Sequence, residues 1–107
     1  MSERERLSNR RVHEIFDFEV MGLRFTAGVG RYPDGRIGEI FLNHNNAGSA
    51  IGTLARDLAI VFSFAVQHGA DAEAIRRAVC RNSQGQPLGP LGQALDIVLS
   101  DEEPASS

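Results

Sequence analysis

Residues 49–68 read SAIGTLARDLAIVFSFAVQH. Stepped at about 100° per residue around a helical wheel, Ile51, Leu54, Ala55, Leu58, Ala59, Val61, Phe62, Ala65 and Val66 fall in one unbroken apolar arc. An arc wider than a coiled-coil seam predicts one long helix lying across a core. The stretch holds one glycine and no proline, and Gly69 supplies a C-terminal stop. On the far side Arg56, Asp57, Ser63 and Gln67 are polar, but Ile60 and Phe64 sit among them one turn apart. Burying a Phe or Ile is worth roughly 1.5–3 kcal/mol, so a cover is expected. Either a later helix of the same chain packs over the pair, the commoner arrangement, or another chain does.

Before this helix the periodicity drops to two. In HEIFDFEV, from His13, the residues Phe16, Phe18 and Val20 alternate with Asp17 and Glu19, as in a half-buried strand. Met21-Gly22 can turn the chain, and LRFTAGVGRY alternates again, with Leu23, Phe25, Ala27 and Val29 on one side. Pro33-Asp34-Gly35 is a turn by chemistry, because Pro fixes φ and Gly accepts a positive one. RIGEIFLNH predicts a third strand. Its inward set is either Ile40 with Leu42, or Ile37 with Glu39 and Phe41; the first is preferred because it keeps Glu39 out of the core. The three segments form an antiparallel meander with one covered face. Gly28, Gly30 and Gly38 mark bulges or close packing by the long helix.

Asn43 to Ser49 is a polar loop into that helix. Ser49 is the expected N-cap, its hydroxyl accepting from a first-turn N–H. Asn45, Asn46, Gly48 and Ser49 also form a candidate anion site, since unpaired N–H groups and the helix dipole point the same way there. No lysine follows, as one would in a phosphate loop, and ordinary capping is the commoner outcome.

Beyond the long helix, Asp71 caps a short one, DAEAIRRAVC, with Ala72, Ile75 and Val79 inward and Glu73, Arg76 and Cys80 outward. A Gly-, Asn-, Ser- and Pro-rich loop follows. Pro90 then opens a last helix, PLGQALDIVLS, as a first-turn proline does. Leu91, Ala94, Leu95 and Val98 face inward there, and Ile97 is left on the opposite side. Ile60, Phe64 and Ile97 are thus candidate interface residues, and a homodimer is one way to cover them.

At 107 residues with 42% apolar and 23% charged content, the chain reads as a single domain that buries a core without disulfides or metal. Residues 1–12 are expected as a charged tail, four arginines against two glutamates, 13–100 as the domain, and 101–107 as an acidic tail. No apolar run reaches the ~20 residues of a membrane span, and no signal peptide is expected at the start. A single cysteine fits a reducing cytoplasm. The net charge of −3 gives no overall attraction to nucleic acid or anionic membrane.

Candidate chemistry is sparse. Arg76, Arg77 and Arg81 favour a thiolate at Cys80, whereas the negative end of a helix disfavours one. His13, His44 and His68 lie in different elements with no partner at ligand spacing. Arg56, Asp57 and Asp96 are expected on solvated surfaces. No catalytic residue, metal site or cofactor is predicted from these patterns.

The order of elements carries a resemblance. A meander ending in GEIFLNHNNAGSAIGTLARDLAIVFSFAVQHGADAEAIRRAV resembles the TSCPD domain. That domain lies near the C-terminus of B12-dependent (class II) ribonucleotide reductases and also occurs in short free-standing bacterial and phage proteins. The shared features are a strand ending in a Phe-Leu pair, the Gly48-Ser49 helix start, a helix closing on His68-Gly69, and an Asp-capped helix to Cys80. The likeness covers roughly residues 23–99. The name-giving Thr-Ser-Cys-Pro-Asp string is absent, with Pro87-Leu88-Gly89-Pro90 in its place. The family's cysteines are reduced to Cys80, and one thiol is neither a redox pair nor a four-ligand zinc site. The resemblance therefore implies an association with ribonucleotide reduction, and by family a ribonucleoside-diphosphate reductase label, without the residues to catalyse alone.

The expectation is an α+β domain, a three-stranded antiparallel β-meander followed by three helices, the long first helix packed across the sheet. The expected role is a non-catalytic accessory or relic module acting through protein contacts, with a ribonucleotide reductase subunit as partner. The alternative is a small nucleotide- or phosphate-binding module using residues 45–49. Neither nucleic acid nor membrane is expected as a partner.

Overall fold

The computed structural model describes residues 3–7, 12–46 and 48–100, with only the backbone at Val12 and Ser100. The tail expected at 101–107, the remainder of the N-terminal tail and Ala47 lie outside the described residues. Strands β1 (Val12–Val20), β2 (Leu23–Arg31) and β3 (Ile37–His44) form one antiparallel sheet in that order. Helices α1 (Ala50–Gln67), α2 (Ala72–Ala78) and α3 (Pro90–Ser100) follow. The meander, the three helices and the packing of the long helix on the sheet are as the sequence predicts.

Turn chemistry sets the strand register. Met21 and Gly22 both take positive φ, 59° and 72°, directly between the paired residues Val20 and Leu23. Two such residues match the right-handed twist of a hairpin. At the second turn the Gly35 N–H donates to Tyr32 O at 2.8 Å, and the Arg36 N–H donates to the Asp34 carboxylate at 3.1 Å. That bond, with the adjacent guanidinium, holds the Asp34 carboxyl below its usual range.

One face of the sheet is the core. Phe18, Phe25, Ala27, Val29, Ile37, Ile40 and Leu42 are buried together with residues of α1 and α3. Ile37 joins Ile40 and Leu42 on this face because the register shifts opposite Gly30 and Arg31, making Gly38 the extra residue of a bulge. A Cβ at Gly38 would stand 2.7 Å from Leu7 Cδ2 and 2.9 Å from Tyr32 Cε2. Gly30 lies at that register shift, as one of the two expected reasons has it, but the long helix packs on neither Gly28 nor Gly30. They sit on the open face beneath Phe41 and Glu39, not beneath the helix.

The long helix is turned relative to its apolar arc. Gly52, Ala55, Ala59, Phe62, Val66 and Gln67 are buried, whereas Leu54, Leu58 and Val61, expected inward, are 65%, 41% and 65% exposed. α1 lies along β3 rather than over the sheet's middle, while α3 packs against β1 and beside α1. With the core side of α1 narrowed in this way, the arc exceeds what the sheet can cover. Ser63 and Gln67, expected on the solvent side, turn in toward β3.

Candidate functional site

β3 is an edge strand, paired with β2 on one side only. An open edge presents N–H and C=O groups that pair readily with another chain. α1 closes part of it. The Ile40 N–H donates to Ser63 Oγ at 2.9 Å, and the Ser63 hydroxyl donates to Ala59 O at 2.8 Å. Gln67, 5% exposed, donates from Nε2 to Gly38 O at 2.7 Å. Antiparallel alternation turns the N–H and C=O of Leu42 to the same side, beyond the reach of these two side chains. Between β3 and α1 runs a groove of about 300 Å³. Ile40 to Asn43 form one wall, and Arg56, Ala59, Ile60 and Phe64 form the other, with Arg4, Glu39, Ser63 and Gln67 completing the lining.

The groove has an apolar wall, and the charged groups along it are Arg4, Arg56 and Glu39. Ile60 and Phe64 are 53% and 46% exposed. The Arg4 guanidinium stands 4.5 Å over the Phe64 ring, a cation–π contact, and donates from Nε to Gln67 Oε1. Arg56 is exposed, and no carboxylate pairs with it among the described residues. The arrangement suits an extended segment that offers backbone groups to Leu42, an apolar side chain to Ile60 and Phe64, and an acidic group to Arg56.

Residues 3–7, expected within a solvated tail, lie against this end of the fold. The Glu5 N–H donates to Gln67 O at 2.7 Å, and Arg36 pairs with the Glu5 carboxylate at 3.1 Å. The Tyr32 hydroxyl donates to Glu5 O. Burial, with the nearby Glu5 charge, raises the Tyr32 phenol above its ordinary value.

Ser49 is the N-cap expected of it, its Oγ accepting from the Gly52 N–H at 2.9 Å. The His44 ring reaches the same hydroxyl at 3.2 Å and accepts from the Asn46 N–H at 3.3 Å. Asn45 and Asn46 are exposed, and Gly48 takes φ 81°. Ile97 is not stranded as expected; it is half-buried and packs against the core, away from Ile60 and Phe64 on the edge of α1. Cys80 is exposed and lies beyond the end of α2.

Asp96 is not a solvated carboxylate. Arg81 Nη2 donates to Asp96 Oδ1 at 2.7 Å and Arg76 Nη1 at 3.2 Å, while Arg76 also binds Glu73 at 2.7 Å. The hydrogen bond from Arg81, then that from Arg76, holds the Asp96 carboxyl below its usual range. Arg81 further donates to the carbonyls of Arg76 and Gly85. The cluster joins α2, the 80–88 loop and α3 without opening onto the groove. No group of three or more His, Cys, Asp or Glu side chains suited to a metal ion occurs among the described residues.

The fold and groove define a small α+β domain with a partly closed edge strand. Comparison with known proteins then finds a specific likeness. The chain is 37% identical over 71 residues to a vitamin B12-dependent ribonucleotide reductase of Agrobacterium fabrum, covering 66% of this chain and 6% of that one. It is 38% identical over 72 residues to the enzyme of that name from Rhodopirellula baltica, covering 67% and 7%. With that of Bradyrhizobium diazoefficiens it is 31% identical over 91 residues, covering 85% and 7%. The chain thus spans only 6–7% of the length of these curated relatives and is similar to one segment of them. No family model matches the chain, and no solved structure does.

Proposed function

We propose that this chain is a non-catalytic accessory module of ribonucleotide reduction, of the TSCPD type, that acts by docking on a reductase chain through the β3–α1 groove. The observation that carries the reading is the likeness, over two thirds or more of this chain, to a segment of enzymes named vitamin B12-dependent ribonucleotide reductase. A segment of 6–7% of such an enzyme is the size of one small domain. Its contribution here is a contact surface. The groove supports this, because an edge strand beside an apolar wall offers both backbone pairing and a side-chain pocket to an extended segment. Cys80 is the single cysteine of the 107 residues, which fits a role without thiol exchange.

The test is a B12-dependent reductase from the same host from which the segment matching this chain has been deleted. Added in trans, this chain is expected to bind the truncated enzyme saturably and to change its turnover. Ile60→Asp, which puts a charge on the groove wall, is expected to weaken that binding at least tenfold. A truncated enzyme that neither binds the chain nor responds to it overturns the proposal.

A further inference from the structure

We propose that the β3–α1 groove reads an extended acidic segment: two carboxylates four residues apart, gripped by Arg56 and Arg4, with an apolar side chain midway between them on Ile60. The inference rests on the docking reading for the source of that segment, a reductase chain, and adds the chemistry by which it is chosen. The helix already keeps step with an extended chain in this fold. Ser63 meets the backbone of Ile40, and Gln67, four residues on, meets that of Gly38, two residues back. Four helical residues rise about 6 Å and two strand residues about 6.6 Å, so the two rows stay in register. Arg56, Ile60 and Phe64 form the neighbouring row of α1 at the same spacing of four, and all three line the groove. A strand-like segment laid along that row presents its first, third and fifth residues to it, since alternate side chains share a face. The central one meets the exposed side chain of Ile60.

Charge decides the flanking positions. Arg56 and Phe64 stand about 12 Å apart along the helix axis, and the Arg4 guanidinium lies over the Phe64 ring. Four strand residues span about 13 Å, so acidic side chains at the first and fifth positions arrive at the two guanidinium groups. Neither arginine pairs with a carboxylate among the described residues. Arg4 binds Gln67 through Nε, which leaves its Nη groups to take a carboxylate. Glu39, the acidic residue of the lining, does not cancel them. Its carboxylate lies over Gly30, 2.7 Å from where a Cβ would stand there, and contacts His13 at 3.2 Å. It therefore reaches across the sheet, away from α1. Arg4 is also held in place before any partner arrives. The Glu5 N–H donates to Gln67 O at 2.7 Å, the Tyr32 hydroxyl donates to Glu5 O, and Leu7 covers Gly38. A cation fixed beforehand loses less freedom on binding.

Fluorescence anisotropy with labelled peptides at low salt is the test. The chain is expected to bind Ser-Glu-Thr-Leu-Thr-Glu-Ser at least fivefold more tightly than Ser-Glu-Glu-Leu-Thr-Thr-Ser, which has the same composition with the carboxylates side by side. Arg4→Gln and Arg56→Gln, each shown to be folded by circular dichroism, are expected to abolish that preference. A chain carrying both Arg4→Glu and Arg56→Glu is expected to prefer the first peptide with Lys in place of each Glu. The first peptide is also expected to displace the truncated reductase from the wild-type chain. Equal binding of the two peptides, or variants that keep the wild-type preference, overturns the proposal; a truncated reductase that still binds in that case shows that docking stands without the acidic pattern. A spacing preference beside a truncated reductase that does not bind supports the pattern and overturns the docking reading instead.

Discussion

Asp96 holds three parts of the chain together through two guanidinium groups, and its depressed titration gives that tie a pH signature. A carboxyl with a folded-state value below its unfolded one stabilises fully above the ordinary carboxylate value, near 3.9. The contribution fades as pH falls through the folded value. Asp96→Asn is therefore expected to lower stability at neutral pH by about 1–2 kcal/mol. It should also flatten the acid limb of the melting-temperature profile. An acid limb as steep as that of wild type would show that Asp96 does not supply it. Ser63 acts at the same scale. With Ser63→Ala the Ile40 N–H loses its acceptor, at a cost of about 1–2 kcal/mol. Hydrogen exchange should quicken more at the Ile40 amide than at the amides of β1. Neither role was legible in the sequence. Asp96 meets Arg76 and Arg81 across 20 and 15 residues, and Ser63 meets β3 across 23; no local pattern encodes such encounters.

At the scale of elements, local chemistry was legible where it is strong. Period-two alternation located all three strands, Met21-Gly22 and Pro33-Asp34-Gly35 located the turns, and Ser49 and Asp71 located two helix starts. The preference for Ile40 and Leu42 over Glu39 and Phe41 held, but Ile37 joined the core through a bulge that alternation does not register. The orientation of α1 was not legible. An apolar arc tells which residues avoid water, not which of them a narrow sheet and a neighbouring helix have room to cover. The groove depends on that orientation, and so it was hidden too, although Ile60 and Phe64 were marked as unusual. Paired substitutions separate the two faces. Phe62→Ala, at a buried site, is expected to cost about 3–5 kcal/mol, and Leu54→Ala, on the exposed stripe, to stay within about 0.5 kcal/mol. Chemical denaturation measures both. Equal losses would mean that α1 sits on the core as its wheel predicts.

The whole molecule is a core built on one side of a three-stranded sheet, with α1 marking its boundary. On the β3 side, that helix shapes a groove lined by apolar groups and by Arg4, Arg56 and Glu39; on its outward side Leu54 and Val61 are exposed. Reversing the groove's charge should act on partner binding alone. Arg56→Glu, at an exposed site with no ion pair among the described residues, is expected to leave the melting temperature within a degree or two while weakening the reductase contact. Salt should weaken the wild-type contact as well, since exposed charges are screened within about 10 Å at moderate ionic strength. The most direct measurement is a calorimetric titration of this chain into the B12-dependent reductase from the same host lacking the segment that matches this chain, run beside the Ile60→Asp variant. A saturable heat that the variant diminishes is the predicted result; no heat from the wild-type chain at any ratio, in a preparation shown to be folded, would contradict the docking role.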